Sequence, residues 1–194
     1  MTIEDEHFPK DIKKFKDIAK KISDKQVKSC LNRYTYRFRL AKAFEGLQAP
    51  TVSKRTLDGY SIATKLFFAY SAYDEIREVE KLLRGKSKVK TYKVFNFSVA
   101  NKIRRNRGLQ ILLTNSIAVS EVRLKNNLKL FYENQNNEVM CIATALRHCF
   151  AHGDFTASSA ELRTKTAVAA IEDLIVIIQS TSNELFSKIV STKN

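Results

Sequence analysis

The residues with the clearest chemical potential in this sequence are an arginine and two histidines that stand close together. Arg147, His148 and His152 occur in the segment ALRHCFAHGDF, residues 145–155. Histidine titrates near neutral pH and can act as a general acid or base, whereas arginine offers a permanent charge whose fork matches a phosphate group. Such a pair can cut RNA without a metal ion, because one group moves protons while the other stabilises charge on the phosphoryl oxygens.

The same residues also have ordinary structural interpretations. An arginine near the carboxyl end of a helix often interacts with the helix dipole, and His152 could be a capping or core histidine. His148 could be a solvated surface residue. Cys149 beside a histidine raises the idea of a thiol nucleophile, but the sequence supplies no orienting partner, and a small packing residue is favoured.

The order of residues in this segment resembles the signature of the HEPN family (higher eukaryotes and prokaryotes nucleotide-binding). That signature is an arginine, a polar residue, three variable residues and a histidine, which here are Arg147, His148, residues 149–151 and His152. The resemblance implies an all-α, HEPN-like helical bundle with long antiparallel helices. It also implies that His152 is the general acid/base, that Arg147 clamps the phosphate, and that His148 helps to orient it.

Two further residues are candidates for supporting roles. Some members of the family carry a tyrosine two residues after the motif histidine, whereas this sequence has Asp154, which could orient His152 or cap a loop. Acidic or aromatic residues of the family's second core helix often face the site. In AYSAYDE, residues 69–75, this implies Tyr73 as a supporting residue, with three further candidates: Tyr70, Asp74 and Glu75. The alternative for tyrosines at this spacing is a place at the rim of the core.

Arg147 and His152 cannot share one face of a straight helix. Five residues correspond to about 140° around the helix axis and about 7.5 Å along it. Either the helix ends between the two residues, with Gly153 nearby as a stop, or two copies of the motif meet across a twofold axis. The family resemblance implies the second arrangement, a composite cleft at a homodimer interface.

The elements that position these residues are predicted to be helices. Only seven residues are glycine or proline, and no alternating pattern is long enough for a sheet. Asp24 is predicted to cap a helix, and Gly153 to end one in the left-handed conformation. A single domain over 1–194 is expected, with N-terminal helices in 1–50 and a core in 57–194. Helices are predicted over about 9–23, 24–46, 57–84, 97–133 with a break near Gly108, and 137–150, followed by a last long helix.

The last helix carries an apolar stripe at three- and four-residue steps. Ser182 is its only polar position, and such a stripe predicts either core or a dimer seam. The stripe consists of Val168, Ile171, Ile175, Ile178, Leu185 and Ile189.

The chain is strongly basic, with a net charge of +14, and most of its basic residues lie in its first two thirds. Residues 84–107 hold nine basic side chains and no acidic one, interleaved with Tyr92, Phe95 and Phe97. Cations with aromatic rings are typical of surfaces that hold single-stranded nucleic acid. The alternative is a solvated connector with its aromatic residues in the core. The residues predicted to bind RNA are Lys88, Lys90, Lys102, Arg104, Arg105 and Arg107.

The composition also argues against several other classes of protein and of binding site. The three cysteines have no paired spacing, which argues against a disulfide framework or a zinc site, and no cofactor or metal is expected. The N-terminus is not a secretory signal, and no stretch approaches the roughly 20 apolar residues of a membrane helix. We therefore expect a cytoplasmic protein without a membrane partner.

The sequence thus predicts a homodimeric, metal-independent endoribonuclease that binds RNA. The family resemblance implies a role as a toxin or in antiviral defence, with an antitoxin or regulatory protein as a further partner. Two alternatives stay open. One is a catalytically silent HEPN module that binds nucleic acid or a partner protein, and the other is a plain basic helical nucleic-acid-binding protein.

Overall fold

The computed structural model describes residues 20, 22–85, 93–117, 121–153 and 164–191, and within these ranges every regular element is a helix. Helices account for 79% of these residues, so the predicted all-α class is confirmed. The helix predicted over about 9–23 lies almost entirely outside them. The seven helices are α1 (Lys25–Ala43), α2 (Lys54–Arg84), α3 (Phe97–Arg104), α4 (Arg107–Ser116), α5 (Val122–Tyr132), α6 (Met140–His152) and α7 (Lys165–Ser191).

Polar side chains fix where several helices begin. Asp24 accepts hydrogen bonds from two backbone N–H groups in the first turn of α1, at 2.8 and 2.9 Å, which confirms its predicted role as a cap. Ser53, Asn96 and Asn106 cap α2, α3 and α4 in the same way. The break predicted at Gly108 is wrong by two residues, because Asn106 supplies the capping oxygen and Gly108 lies inside α4.

Helix α2 is the centre of the fold, since α1, α6 and α7 all pack against it. Five consecutive residues, Ala69–Tyr73, are buried there, which requires neighbours on every side of the helix. Three of the five side chains are small, namely those of Ala69, Ser71 and Ala72. Small side chains allow the neighbouring helices to approach closely at this level.

Helices α1 and α2 form an antiparallel pair. Arg37 on α1 donates a hydrogen bond to the Glu75 carboxylate at 2.6 Å. Leu47, which follows α1, donates its backbone N–H to the Ser61 Oγ atom at 2.9 Å. Leu47 comes after Arg37 in the chain, whereas its partner Ser61 comes before Glu75. The two segments therefore run in opposite directions.

The apolar stripe of α7 belongs to the core of the single chain. Helix α7 packs against α2 and α3, and each stripe residue is buried except Val168, which is half-buried. Ser182 is buried too, and its hydroxyl donates to the backbone carbonyl of Ile178 at 2.7 Å, which satisfies the one polar position of the stripe. Of the two roles predicted for the stripe, the structure therefore supports core rather than dimer seam.

A short extended segment lies beside the chain that enters α6. Phe95 and Glu138 form an isolated antiparallel bridge, and the backbone N–H of Val139 donates to the carbonyl of Val94 at 2.9 Å. The bridge connects the start of α6 to a segment more than 40 residues earlier.

Gly153 ends α6 in the left-handed conformation, with φ 71° and ψ 10°, as predicted. We expect Gly153→Ala to lower the free energy of unfolding by about 1 kcal/mol, because a side chain strains this backbone region. Among the described residues other than the chain neighbours, no heavy atom lies within 4 Å of an added Cβ atom, so the expected strain is in the backbone of Gly153 itself. Gly153→Asn should cost less, because asparagine tolerates this conformation. Urea denaturation followed by circular dichroism measures both, and an alanine variant as stable as wild type would contradict the prediction.

Candidate active site on helix α6

Arg147 projects from α6 into a groove beside α1 and α2. The nearest carboxylate is that of Asp74, whose Oδ2 atom lies 4.0 Å from Nη2 of Arg147. The Nε atom of Arg147 is buried and has no hydrogen-bond partner among the described residues. Arg147 lines the groove, and among the described residues the carboxylate that pairs with its terminal N–H groups is the distant one of Asp74. The groove has a volume of about 410 Å³ and is lined by Tyr36, Arg37, Leu40, Phe67, Phe68, Ser71, Asp74 and Arg147.

The Arg147–Asp74 pair is weak. The two side chains are 41% and 46% exposed, and an exposed pair at this separation contributes little stability. Partial burial raises the pKa of the Asp74 carboxyl, and the positive charge of Arg147 opposes that rise. The guanidinium can therefore exchange Asp74 for a phosphate group at low cost.

His152 lies on a different face of the same helix. Helix α6 runs unbroken from Met140 to His152, which excludes the arrangement in which the helix ends between Arg147 and His152. On a regular helix the two residues are about 140° apart. Cys149 lies between them in the sequence and is completely buried, which confirms the prediction of a packing residue.

The structure brings His148 to His152 rather than to the groove of Arg147. The two imidazole rings are 4.3 Å apart between centroids and their planes are inclined by 43°. Residues four apart share one face of a helix, so this contact is a direct result of the sequence spacing. His148 is half-buried and His152 is exposed. The end of α6 therefore presents a pair of imidazoles on one face and Arg147 on another.

Tyr73 belongs to the core. Its side chain is 2% exposed, packs edge-on against Tyr70 at 5.7 Å between ring centroids, and has a pKa raised by burial. The supporting role predicted for Tyr73 is therefore corrected. Tyr70 stands closer to the candidate site, because its hydroxyl shares a 2.7 Å hydrogen bond with the hydroxyl of Thr144, one turn before Arg147. Asp154 lies outside the described residues.

Sequence reasoning missed six of the eight residues that line the groove, among them Tyr36 and Arg37. Tyr36 is 69% exposed, and Arg37 forms an ion pair with Glu75 at 2.6 Å. Both stand on α1, more than 100 residues before the motif, so no local pattern connects them with Arg147. An exposed aromatic residue beside an arginine was the only signal, and that signal is common on helix surfaces.

Arg104 has a structural role, which corrects its predicted contact with RNA. Its Nε atom donates to the backbone carbonyl of Phe131 at 2.6 Å, and its Nη1 atom donates to Oδ1 of Asn137 at 2.9 Å. Its Nη2 atom donates to the carbonyl of Asn136 at 2.5 Å. The guanidinium also lies over the Phe131 ring, 4.5 Å from the centroid. These contacts hold the linker between α5 and α6 and use the donors that a phosphate would need.

The other basic candidates differ among themselves. Lys102 forms an ion pair with Asp173 on α7 at 2.6 Å, which offsets its charge. Arg105 and Arg107 are exposed and remain candidates for phosphate contacts. Lys88 and Lys90 lie outside the described residues.

The described residues contain neither a candidate metal cluster nor a helix that could cross a membrane. No group of three histidine, cysteine, aspartate or glutamate side chains lies close enough there to hold a metal ion. No described helix is both long enough and apolar enough to cross a membrane. Comparisons with protein-family models, with curated proteins and with solved structures find no match to this chain. The HEPN resemblance therefore rests on the six-residue motif and the helical class.

The neighbours Arg104 and Arg105 allow a matched comparison of how a hydrogen-bonded arginine and an exposed arginine contribute to stability. Arg104→Gln should lower the free energy of unfolding by about 2 kcal/mol, because it leaves carbonyl groups of the linker without their charged donor. Arg105→Gln removes the same charge from an exposed side chain and should change stability by less than about 0.5 kcal/mol. Urea titrations of the two variants measure the difference. Equal stability of the two variants would contradict the structural role of Arg104.

Proposed function

We propose that the protein is a HEPN-type endoribonuclease that cuts RNA without a metal ion, using Arg147 and His152 from two copies of the chain. The observation that carries this proposal is the contrast between two half-buried arginines. Arg104 makes several hydrogen bonds inside the fold, whereas the one ionic partner of Arg147 among the described residues is Asp74, at 4.0 Å, in an open groove. A guanidinium that is loosely paired at a groove is suited to bind a phosphate group.

The proposed reaction is an internal transfer at phosphorus. His152 takes the proton of a 2′-hydroxyl, the O2′ atom bonds to the adjacent phosphorus, and the bond from phosphorus to the 5′ oxygen of the next nucleotide breaks. That oxygen accepts a proton, which leaves a 5′-hydroxyl on one product and a 2′,3′-cyclic phosphate on the other. Arg147 donates to the non-bridging oxygens as their negative charge grows. His148, whose ring contacts that of His152, provides a second imidazole that can take part in the proton transfers.

The geometry of α6 is consistent with the proposed twofold arrangement. One chain presents Arg147 on one side of the helix and His152 about 140° away. Two copies related by a twofold axis can bring the arginine of one to the histidine of the other. Tyr36 and Leu40, which are 69% and 45% exposed, supply apolar surface beside the groove of Arg147, where this interface would form.

The biological role follows from the resemblance to the family. We place the protein among RNA-cutting toxins or antiviral defence factors of the cytoplasm, held in check by an antitoxin or another regulatory protein. One observation favours the alternative of a catalytically silent HEPN module that binds nucleic acid or a partner protein. Arg147 and His152 do not converge within one chain, so without a dimer the site stays incomplete.

The protein is expected to cut single-stranded RNA, but not DNA of the same sequence, in excess EDTA, because the attacking group is the 2′-hydroxyl. Mass spectrometry should find 2′,3′-cyclic phosphate ends. Arg147→Ala and His152→Ala should each slow cutting by about a hundred- to ten-thousand-fold with an unchanged circular-dichroism spectrum. Lys54→Ala removes an exposed cation from α2 and serves as the control with full activity. Undiminished cutting by the His152 variant would disprove the proposed chemistry.

Mixing two inactive variants tests the composite site directly. An Arg147→Ala chain and a His152→Ala chain, unfolded together and refolded, should recover about a quarter of wild-type activity. About half of the dimers then contain both chains, and each of these has one intact site of two. A site formed within one chain would recover nothing. Binding of RNA by the wild type with no cutting under any of these conditions would favour the silent module instead.

A further inference from the structure

Residues 93–97 hold two phenylalanine side chains in solvent. Phe95 is 62% exposed and Phe97 is 66% exposed, and Lys93 is exposed on the same side. Val94 and Asn96, which alternate with them, are half-buried, as expected for an extended chain with one face against the protein. Two neighbouring aromatic rings in water forgo the hydrophobic stabilisation that burial would give, and such a patch commonly marks a binding surface.

The fold holds this segment in place. The backbone carbonyl of Val94 accepts a hydrogen bond from Val139 at 2.9 Å, and the Asn96 side chain caps α3 through a 3.0 Å bond from the backbone N–H of Val99. Arg104 in turn secures the residues that precede Val139. The two phenyl rings therefore stand on a backbone fixed at both ends, and binding a ligand there requires little ordering of the chain.

Cations flank the two rings. Lys93 precedes Phe95, and Arg105 lies eight residues after Phe97, about 80° around α3 and about 12 Å along it, on the exposed side of that helix. Glu138 is the acid bridged to Phe95, but it is 8% exposed and its Oε1 atom accepts the backbone N–H of Met140 at 2.9 Å. The order of these exposed side chains along the chain is therefore cation, ring, ring, cation, and the carboxylate bridged to Phe95 is turned inward.

We propose that Lys93, Phe95, Phe97 and Arg105 form a binding surface for single-stranded RNA, on which unpaired bases stack on the two rings while the cations contact phosphates. Bases within a duplex do not offer free faces, so the surface selects unpaired nucleotides. An apolar patch on a second protein would have no use for the flanking cations. The exposure of both rings also rules out, for Phe95 and Phe97, the alternative that the aromatic residues of this segment lie in the core.

This surface deepens the proposed function, on which the choice of RNA rests. It lies beside Val139 at the start of α6, whereas His152 stands at the other end, about 20 Å along the helix. An RNA strand bound at this surface therefore contacts the protein several nucleotides away from the phosphodiester bond that is cut. Variants of the surface should change the affinity for RNA and leave the rate of cutting at saturation unchanged.

Fluorescence anisotropy with a short labelled oligouridylate tests the proposal, in EDTA and with His152→Ala in every protein to prevent cutting. Phe95→Leu/Phe97→Leu keeps apolar area but removes both ring faces, and should weaken binding about tenfold or more, with an unchanged dependence on salt. Phe95→Tyr/Phe97→Tyr keeps the rings and should bind as tightly as the parent. Lys93→Gln/Arg105→Gln should instead flatten the slope of log affinity against log salt concentration by about 1.4, for two phosphate contacts. Val122→Ala, at another exposed apolar residue, is the control.

Three results would overturn the proposal. The first is that the leucine variant binds oligouridylate as tightly as its parent does. The second is that the leucine substitutions weaken binding of a blunt RNA duplex as much as they weaken binding of oligouridylate. The third is loss of self-association by the leucine variant in analytical ultracentrifugation, which would make the patch a contact between copies. Binding is measured in proteins that cannot cut, so its outcome stands apart from that of the nuclease assay.

Discussion

Helix α2 is buried on every side at Ala69–Tyr73, and the orientation of the motif depends on that constraint. Close approach at this level allows the Tyr70 hydroxyl to meet Thr144 on α6 at 2.7 Å. One face of α6 therefore packs against α2, and this contact fixes the rotation of α6 about its own axis. Arg147 consequently faces the groove beside α1, and the histidine pair faces elsewhere. The composite character of the proposed site is thus a result of packing in the core, far from any substrate.

The elements that could be predicted from the sequence are those governed by neighbours along the chain. Asp24 caps α1 because a carboxylate can reach the free N–H groups of the next turn, and Gly153 stops α6 because it alone takes the left-handed conformation without strain. The spacing of His148 and His152 likewise fixes their contact. Such features need no knowledge of the tertiary structure, and the all-α class follows from the same local rules.

The features that escaped prediction depend on residues distant in the sequence. Arg104 and Arg105 are identical and adjacent, yet only Arg104 reaches the carbonyl of Phe131, 27 residues later. Tyr36 enters the groove of Arg147 only because α1 folds back on α2. Whether Phe95 points to solvent or core could not be decided either, because an extended segment has two faces and the choice between them is made by the chain that pairs with it.

The burial of Cys149 has a practical consequence for the study of this helix. A thiol reagent can reach a completely buried sulfur only when the surrounding structure opens, so the rate of labelling at Cys149 measures how often α6 opens, provided that it is read separately from labelling at the two other buried cysteines, Cys30 and Cys141. The chain therefore carries an internal reporter two residues from Arg147 and three from His152, with no foreign probe attached. Labelling that stays slow in the presence of RNA would mean that α6 remains a rigid support when RNA is bound.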